Sequence, residues 1–288
     1  MFPMRLGVAV NAFTGWLVDP RQPEAERARH LAAIRSLAGQ PGVQVIELSA
    51  DFATLYPQVF DRGFYRQVAA LQDELGFACT AHLPFLWLDH ASLAEVPRQA
   101  SVAAVRATVE ALAPLRIETY VLHLWGAWSN LVRASLPPPQ RPVLEAALVA
   151  QAQRSLAEVA TFVPRQALCI ENLETVPFAV IAALAKAGDT RICLDVGHLA
   201  WSGEPAEDPA TLVRAHHARI AELHLHDVQR GPGGEMRDHQ AIGTGGLDFP
   251  VLFHALSDVG FSGPLVLELL SPAAALASLE QVRKLLSA

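Results

Sequence analysis

The sequence predicts an α/β protein with one domain spanning residues 1–288, a (β/α)8 barrel in which each parallel strand is followed by a helix. Short apolar runs recur along the 288 residues, each followed by polar or glycine-rich residues and then a helical pattern. The runs are apolar throughout, which is typical of parallel strands that are buried on both faces. A doubly wound open sheet is the alternative, but no GxGxxG motif follows the first run.

Eight runs have the length and composition of buried strands. In chain order they are LGVAV (6–10), VQVIEL (43–48), ACTAH (78–82), TYVLH (119–123), ALCIE (167–171), RICLD (191–195), IAELH (220–224) and PLVLEL (264–269). The amphipathic segments between them predict helices, most clearly over 23–39, 60–76 and 143–162. A final helix is predicted over 271–288, with Ser271 as its cap.

The composition excludes several classes of protein. Hydrophobic residues make up 51% of the chain and charged residues 18%, which is enough to form a large core. The formal net charge is −7 and no run of five basic residues occurs, which disfavours a nucleic-acid partner. The N-terminus lacks the organisation of a signal peptide, and no stretch approaches the roughly 20 apolar residues of a membrane span. We therefore expect a soluble, cytoplasmic protein without a membrane partner.

The three cysteines predict buried, reduced thiols. Cys79, Cys169 and Cys193 are each isolated within an apolar run, and an odd number does not suit a disulfide framework. Five of the eleven histidines have no such pattern around them and are interpreted as solvated helix or loop residues: His30, His90, His216, His217 and His254.

Potential metal ligands mark the ends of six consecutive predicted strands. From strand three to strand eight these residues are His82, His123, Glu171, Asp195, His224 and Glu268, and His198 follows strand six by three residues. A single His or Asp at a strand end is usually a turn or loop residue. Chance alone rarely places residues of this type at the ends of six successive strands. In a barrel the carboxyl ends of the strands meet at one mouth, where barrel enzymes carry their active sites.

A cup of buried carboxylates and imidazoles needs a compensating charge, because burial and like charges strongly shift pKa values. A divalent cation provides that charge and accepts lone pairs from oxygen and nitrogen. The sequence therefore predicts a divalent metal cofactor at the barrel mouth. A donor set of Glu, Asp and His without thiolate suits Mn, Co, Mg or Zn and does not choose among them.

Two residues beside His224 leave alternatives open. Strand alternation points His226 in the same direction as His224, so it could line the cup or lie just above it. Asp227 is expected to point outward or to orient a loop. Either side chain could also support a metal-bound residue from behind.

The loops at the mouth also allow two interpretations each. The loop AIGTGGLDF (241–249) could bind phosphate through backbone N–H groups or form a tight turn into a helix, and the tight turn is favoured. The aromatic residues Phe85, Trp87, Trp125 and Trp128 could stack on a sugar or a base, or could pack the loops onto the barrel.

The order and spacing of these motifs resemble the xylose-isomerase-like barrel superfamily, which includes sugar and sugar-phosphate isomerases and epimerases and the endonuclease-IV-like enzymes (AP endonuclease family 2). The resemblance covers essentially the whole chain. The motifs that carry it are AHLPF (81–85), VLHLWG (121–126), IENLE (170–174), LDVGH (194–198), LHLHD (223–227), IGTGGLDF (242–249) and VLEL (266–269).

The resemblance to the epimerase-like members implies one metal held by Glu171, Asp195, His224 and Glu268. It also implies that Glu171 and Glu268 transfer a proton between the two faces of a substrate carbon, while the metal polarises the carbonyl. His198 would contact substrate oxygens. Further substrate contacts are expected from His82, His123, Trp125, His226 and His239.

The resemblance to the endonuclease-IV-like members implies instead up to three zinc ions. The residues that match additional zinc ligands are His82, His123, His198 and His239. This chain departs from that pattern at Arg237, where those enzymes carry an aspartate, and Asp238 is adjacent. It also departs from many ketose 3-epimerases, which carry an arginine at the position of His239.

The sequence thus supports a metal-dependent sugar or sugar-phosphate isomerase or epimerase. The alternative is a multi-zinc phosphodiesterase acting on abasic DNA or on a small nucleotide-like phosphoester. A sugar-binding barrel without catalysis is disfavoured, because both Glu171 and Glu268 are present. The oligomeric state is left open, with a homodimer as one option.

Overall fold

Eight parallel strands close into a barrel in the computed structural model, which describes residues 4–201 and 208–287. The strands of this part of the chain are β1 (Arg5–Ala9), β2 (Val43–Ser49), β3 (Ala78–His82), β4 (Ile117–Leu122), β5 (Leu168–Glu171), β6 (Arg191–Asp195), β7 (Ile220–Leu225), β8 (Asp227–Arg230), β9 (Met236–Gln240) and β10 (Pro264–Leu267). All except β8 and β9 belong to the barrel, in which β10 pairs with β1 and with β7. The predicted (β/α)8 barrel and its eight strands are confirmed.

Helices surround the barrel. Within the described residues they are α1 (Asn11–Thr14), α2 (Pro23–Ala38), α3 (Asp51–Leu55), α4 (Arg62–Leu75), α5 (Glu95–Leu112), α6 (Ala127–Ser135), α7 (Arg141–Val159), α8 (Phe178–Gly188), α9 (Val196–Trp201), α10 (Pro209–His216), α11 (Phe249–Asp258) and α12 (Pro272–Ser287). The helices predicted over 23–39, 60–76 and 143–162 correspond to α2, α4 and α7. Ser271 caps α12 as predicted, since its hydroxyl accepts a hydrogen bond from the backbone N–H of Ala274; residue 288 of the predicted helix lies outside the described residues.

Helix α4 shows how the local sequence sets these elements. The carboxylate of Asp61 accepts a hydrogen bond from the backbone N–H of Phe64 and so caps the first turn. Phe64, Val68 and Leu71 recur at helical spacing and are buried against the barrel layer. Gly76 ends the helix with a φ of 73°, a left-handed conformation that glycine adopts without a steric penalty.

The interior of the barrel is filled rather than open. Small apolar side chains pack there, among them Val121, Cys169 and Cys193. All three cysteines of the chain are buried and free, as predicted. No helix in the described part of the chain is long and apolar enough to cross a membrane.

An antiparallel hairpin formed by β8 and β9 follows β7 and lies outside the barrel sheet. The hairpin was not predictable from apolar runs, because its strands are short, polar and partly exposed. A glycine-rich turn connects them, in which Gly234 adopts a φ of 86°. The hairpin returns the chain to the mouth of the barrel and so carries His239 to the site.

The prediction that His30 and His90 are solvated is wrong, since their relative exposures are 2% and 1%. His30 shares the buried face of α2 with Ile34 and Leu37 at spacings of four and seven residues, which places it on the apolar stripe of the helix. His216 is half-buried, whereas His217 and His254 are exposed.

His30 should make the protein less stable in acid. Burial lowers the pKa of His30 from 6.5 to about 4, so the unfolded chain binds its proton first as the pH falls. The stability that the neutral imidazole contributes is present above pH 6.5 and is lost as the pH falls toward 4. The loss should approach about 3 kcal/mol. In urea unfolding at about pH 7 and about pH 4, the variant His30→Leu should show a correspondingly smaller change in the free energy of unfolding.

The matched control is His254→Leu, because the side chain of His254 is 75% exposed. This variant should retain the full pH dependence of the wild-type protein. Equal pH dependence in His30→Leu and His254→Leu would contradict the assignment of acid sensitivity to His30.

Candidate active site

The four residues predicted to bind a single metal meet at the mouth of the barrel. One potential ligand atom from each of Glu171, Asp195, His224 and Glu268 lies within 4.8 Å of the others. Glu171 and Asp195 are the last residues of β5 and β6, His224 lies one residue before the end of β7, and Glu268 directly follows β10. The closure of the sheet therefore brings together residues that are far apart in the sequence.

Three of these residues have a buried atom without a hydrogen-bond partner. The atoms are Glu171 Oε1, Asp195 Oδ2 and His224 Nδ1. His224 Nδ1 lies 3.4 Å from Glu171 Oε1, 4.0 Å from Asp195 Oδ2 and 3.2 Å from Glu268 Oε2. An unsatisfied buried polar atom typically costs about 1–3 kcal/mol. A divalent cation would satisfy all three atoms, so this donor set fits the predicted metal.

The two carboxyl oxygens of Glu171 face different groups. Oε1 faces the other predicted metal ligands and lies 3.4 Å from His224 Nδ1. Oε2 lies 2.9 Å from His123 Nε2 and 3.2 Å from His82 Nε2. The two imidazole nitrogens are themselves 3.2 Å apart. Burial alone would lower the pKa of His82, but the hydrogen bond and negative charge of Glu171 outweigh it and raise the pKa to about 10. His82, His123 and Glu171 thus form a second group of potential ligands.

His198 is held in place by the chain around it. Its backbone N–H donates to Asp195 Oδ1 at 2.7 Å, and its ring Nδ1 lies 3.0 Å from the carbonyl oxygen of Asn172. Burial opposes ionisation of His198, but the charges of Asp195 and then Glu171 raise its pKa to about 9. Since Nδ1 donates to a carbonyl, Nε2 is the nitrogen that remains for a substrate or a metal.

His226 supports Asp195 from the side of the hairpin. Its Nδ1 accepts a hydrogen bond from the backbone N–H of His239 at 2.9 Å, and its Nε2 lies 3.1 Å from Asp195 Oδ1. The rings of His226 and His239 stack with centroids 4.3 Å apart. His239 adopts a φ of 50°, which is unusual for a residue with a side chain, and its Nε2 lies 3.8 Å from Glu268 Oε2. His226 is fully buried, so its predicted contact with substrate stays a prediction.

Gly197 of the LDVGH motif makes room for His226. A Cβ atom on Gly197 would overlap the His226 imidazole at Cε1, Nδ1 and Nε2. The glycine therefore allows the ring to lie directly against the first turn of α9 and to reach Asp195.

Asp227 orients the loop between β9 and α11, as one of the two predicted alternatives stated. Its Oδ2 accepts from the backbone N–H groups of Gly243 and Gly245 at 3.0 and 2.7 Å, and its Oδ1 accepts from Leu247 at 3.2 Å. The N–H groups of Thr244 and Gly246 bind backbone carbonyls. All five N–H groups from residue 243 to residue 247 are thus engaged within the chain, which supports the favoured interpretation of this loop as a tight turn.

The aromatic residues divide into buried and exposed side chains. Trp125 is buried in the hydrophobic core, and its contact with substrate stays a prediction. Phe85 lies over the imidazoles, with its ring centroid 4.7 Å from that of His123 and 4.9 Å from that of His82. Trp87 and Trp128 are 88% and 70% exposed, so they are the ones with a free aromatic surface.

Two buried acids near the site were not predicted. Glu47 on β2 and Glu222 on β7 are 1% and 0% exposed, and Glu47 Oε2 lies 3.2 Å from His224 Nε2. Glu222 accepts a hydrogen bond from the hydroxyl of Thr119. Burial and then the charge of Glu47 raise the pKa of Glu222 to about 8. The signal was present in the sequence, because both acids interrupt apolar strands.

Replacement of Gly197 by alanine should disturb the site. The added Cβ would displace the His226 ring and break its contacts with Asp195 and His239. We expect Gly197→Ala to destabilise the protein by about 1–3 kcal/mol in urea unfolding. The control is Gly246→Ala, since an added Cβ there meets no atom within 4 Å. Equal stability of the two variants would show that His226 does not depend on this contact.

Solved structures of sugar epimerases share this fold. A D-tagatose 3-epimerase-like protein superimposes with a TM-score of 0.74 at 19% identity, covering 99% of this chain and 97% of that protein. A 3-keto-D-glucoside 4-epimerase from E. coli gives a TM-score of 0.69 at 17% identity, covering 99% and 100%. A D-psicose 3-epimerase solved in the presence of D-fructose gives 0.67 at 18% identity, covering 92% and 84%. At these identities the similarity establishes the fold alone.

Sequence comparison adds a relative and a family. Uncharacterized protein MJ1311 of Methanocaldococcus jannaschii is 26% identical over 207 residues, which cover 69% of this chain and 66% of that protein. The family model of the xylose isomerase-like TIM barrel matches residues 20–286. Since this match spans nearly the whole chain, the protein belongs to the xylose isomerase-like TIM barrel family.

Proposed function

We propose that the protein is a divalent-metal-dependent isomerase or epimerase of a sugar. The observation that carries the proposal is the convergence of three unpartnered buried atoms, on Glu171, Asp195 and His224, with the carboxylate of Glu268. Family membership and the fold shared with sugar epimerases support the same chemistry.

The positions of the two glutamates support a role in proton transfer. In the barrel, β5 and β10 are separated by β6 and β7, so Glu171 and Glu268 approach the cup from different sides. Burial alone would raise their pKa values, but the charges of His123 and His224 on Glu171, and of His224 on Glu268, hold both pKa values below the usual range. Both carboxylates are therefore ionised at neutral pH and able to accept a proton.

In the proposed reaction, one glutamate removes the proton from the carbon beside the substrate carbonyl. In an isomerisation, the same glutamate returns this proton to the neighbouring carbon. In an epimerisation, the other glutamate takes up a proton from solvent and donates it to the opposite face of the carbon, and the first glutamate releases its proton to solvent. A cation held by Glu171, Asp195, His224 and Glu268 would supply polarisation of the carbonyl when bound. The free Nε2 of His198 would hold a substrate hydroxyl.

The substrate is proposed to be an uncharged sugar rather than a sugar phosphate. Among the described residues, each side chain that pairs with Glu171, Asp195 or Glu268 is a histidine. The backbone N–H groups from residue 243 to residue 247 are already engaged, so they offer no phosphate site. The structures of similar fold are named for free sugars such as D-tagatose and D-psicose.

A multi-zinc phosphodiesterase is the second candidate. It is favoured by two further groups of potential ligands, one formed by His82, His123 and Glu171 and the other by His198, His226 and His239. Arg237, at the position of the aspartate of endonuclease-IV-like enzymes, pairs with Glu235 at 3.8 Å and is exposed. Asp238 lies 3.4 Å from His239 Nδ1 instead.

Metal content separates the two candidates. Protein purified without chelator should contain about one Mn, Co or Mg ion per chain by elemental analysis, because the donor set of Glu171, Asp195, His224 and Glu268 carries three unsatisfied buried atoms. About two or three zinc ions per chain would favour the phosphodiesterase. Protein that binds no divalent ion, even after incubation with each metal, would refute both.

Replacement of Glu268 by glutamine should abolish turnover. Glutamine keeps the shape but cannot accept the substrate proton. In D2O, the wild-type enzyme should exchange the proton beside the carbonyl of a free ketose for deuterium, as followed by proton NMR. Glu268→Gln should reduce this exchange by at least about 100-fold.

The control is Glu280→Gln on α12, since the side chain of Glu280 is 67% exposed and pairs with Lys284. Its exchange rate should equal that of the wild-type enzyme. Exchange retained in Glu268→Gln would show that Glu268 does not remove the substrate proton. Faster exchange with ketose phosphates than with free ketoses would contradict the proposed uncharged substrate.

A further inference from the structure

His224 spans two buried groups of carboxylates with its two ring nitrogens. Nδ1 faces the cup, 3.2 Å from Glu268 Oε2 and 3.4 Å from Glu171 Oε1, and it has no hydrogen-bond partner. Nε2 lies 3.2 Å from Glu47 Oε2. The side chains of His224 and Glu47 are 0% and 1% exposed, so water does not compete for this contact.

Glu47 reaches His224 through the interior of the barrel. Its strand, β2, is separated from β7 by β1 and β10, so the contact crosses the barrel rather than joining neighbouring strands. Thr80, paired with Glu47 in the register of β2 and β3, donates its hydroxyl hydrogen to the same Oε2 at 3.3 Å. That oxygen is therefore an acceptor, and the proton on the imidazole lies on Nε2.

The position of this proton decides which nitrogen can bind a cation. A neutral imidazole has one N–H and one lone pair, so an N–H at Nε2 leaves the lone pair of Nδ1 directed at the cup. A carboxylate that accepts from the other ring nitrogen also fixes the ring orientation and increases the basicity of the ligating nitrogen.

We propose that Glu47 is a positioning residue that holds His224 with its Nδ1 lone pair toward the divalent cation, and that Thr80 in turn positions Glu47. The proposal rests on the metal site of the proposed function. Neither residue touches the substrate; both act through His224.

Glu222 provides a matched control within the same interior. It lies two residues before His224 on β7 and is equally buried, but its hydrogen bond is with Thr119 rather than with His224. Glu222→Gln therefore replaces the neighbouring buried carboxyl group without removing the hydrogen bond between Glu47 and the ring.

The test is the binding of Mn²⁺ to metal-free protein, measured by isothermal titration calorimetry at one neutral pH. Glu47→Gln should raise the Kd by about 10- to 100-fold. Thr80→Val, which removes the hydroxyl donor to Glu47, should raise it by a smaller factor. Glu222→Gln should bind Mn²⁺ as the wild-type protein does. Thermal unfolding of each metal-free variant shows whether it is folded. If Glu47→Gln does not fold, the Kd of Thr80→Val for Mn²⁺ tests the proposal instead.

Three results would overturn the proposal. The first is an unchanged Kd in Glu47→Gln, or in Thr80→Val if that variant must decide. The second is an equal loss of affinity in Glu222→Gln, which would indicate a general effect of changing a carboxyl group in the barrel interior. The third is the loss of one of two bound cations in Glu47→Gln, which would make Glu47 a ligand itself.

The wild-type protein distinguishes this failure from that of the proposed function. If it binds Mn²⁺ and exchanges the ketose proton while Glu47→Gln binds equally well, only the role of Glu47 is refuted. If the wild-type protein binds no divalent cation, the metal site and the positioning role are refuted together.

Discussion

The main physical constraint at the mouth of the barrel is that several negatively charged carboxylates lie close together with little access to solvent. Glu171 and Asp195 are buried and the side chain of Glu268 is 12% exposed, and the ionisation of these three carboxylates is sustained by the imidazoles around them. Without a cation, the site depends on imidazolium–carboxylate contacts and still leaves several atoms unsatisfied. Contacts with the surrounding residues keep these carboxylates oriented although they repel one another. A bound divalent cation would neutralise their negative charge and would be held by the same oxygen atoms.

Two of the four potential metal ligands, His224 and Asp195, are each contacted by a buried neighbouring side chain. Glu47 contacts His224 from the interior of the barrel, and His226 contacts Asp195 from the hairpin side. Gly197 provides the space that His226 occupies, and Asp227 fixes the loop that follows the hairpin. A site defined only by its ligands would omit the contacts that set their geometry.

The residues of the cup were predictable because strand order and strand ends are local properties of the sequence. Glu171 and Asp195 end apolar runs, and the closure of a parallel barrel brings such ends together. The contact between Glu47 and His224 was not predictable in this way, because it depends on register across the barrel, which no single strand encodes. The burial of His30 was available from helical spacing, whereas the hairpin was missed because polar strands lack an apolar pattern.

The hairpin of β8 and β9 forms a sheet of its own and shares no strand pairing with the barrel. It nevertheless carries His239 to the edge of the cup, where the ring stacks on His226. Changes in the length or composition of the hairpin would therefore leave the hydrogen-bond register of the barrel intact. They would change the side chains that line one edge of the site. Such an appendage allows a barrel to acquire a different selectivity by altering a dozen or so surface residues, and it is the natural segment to exchange when the protein is redesigned for another ligand.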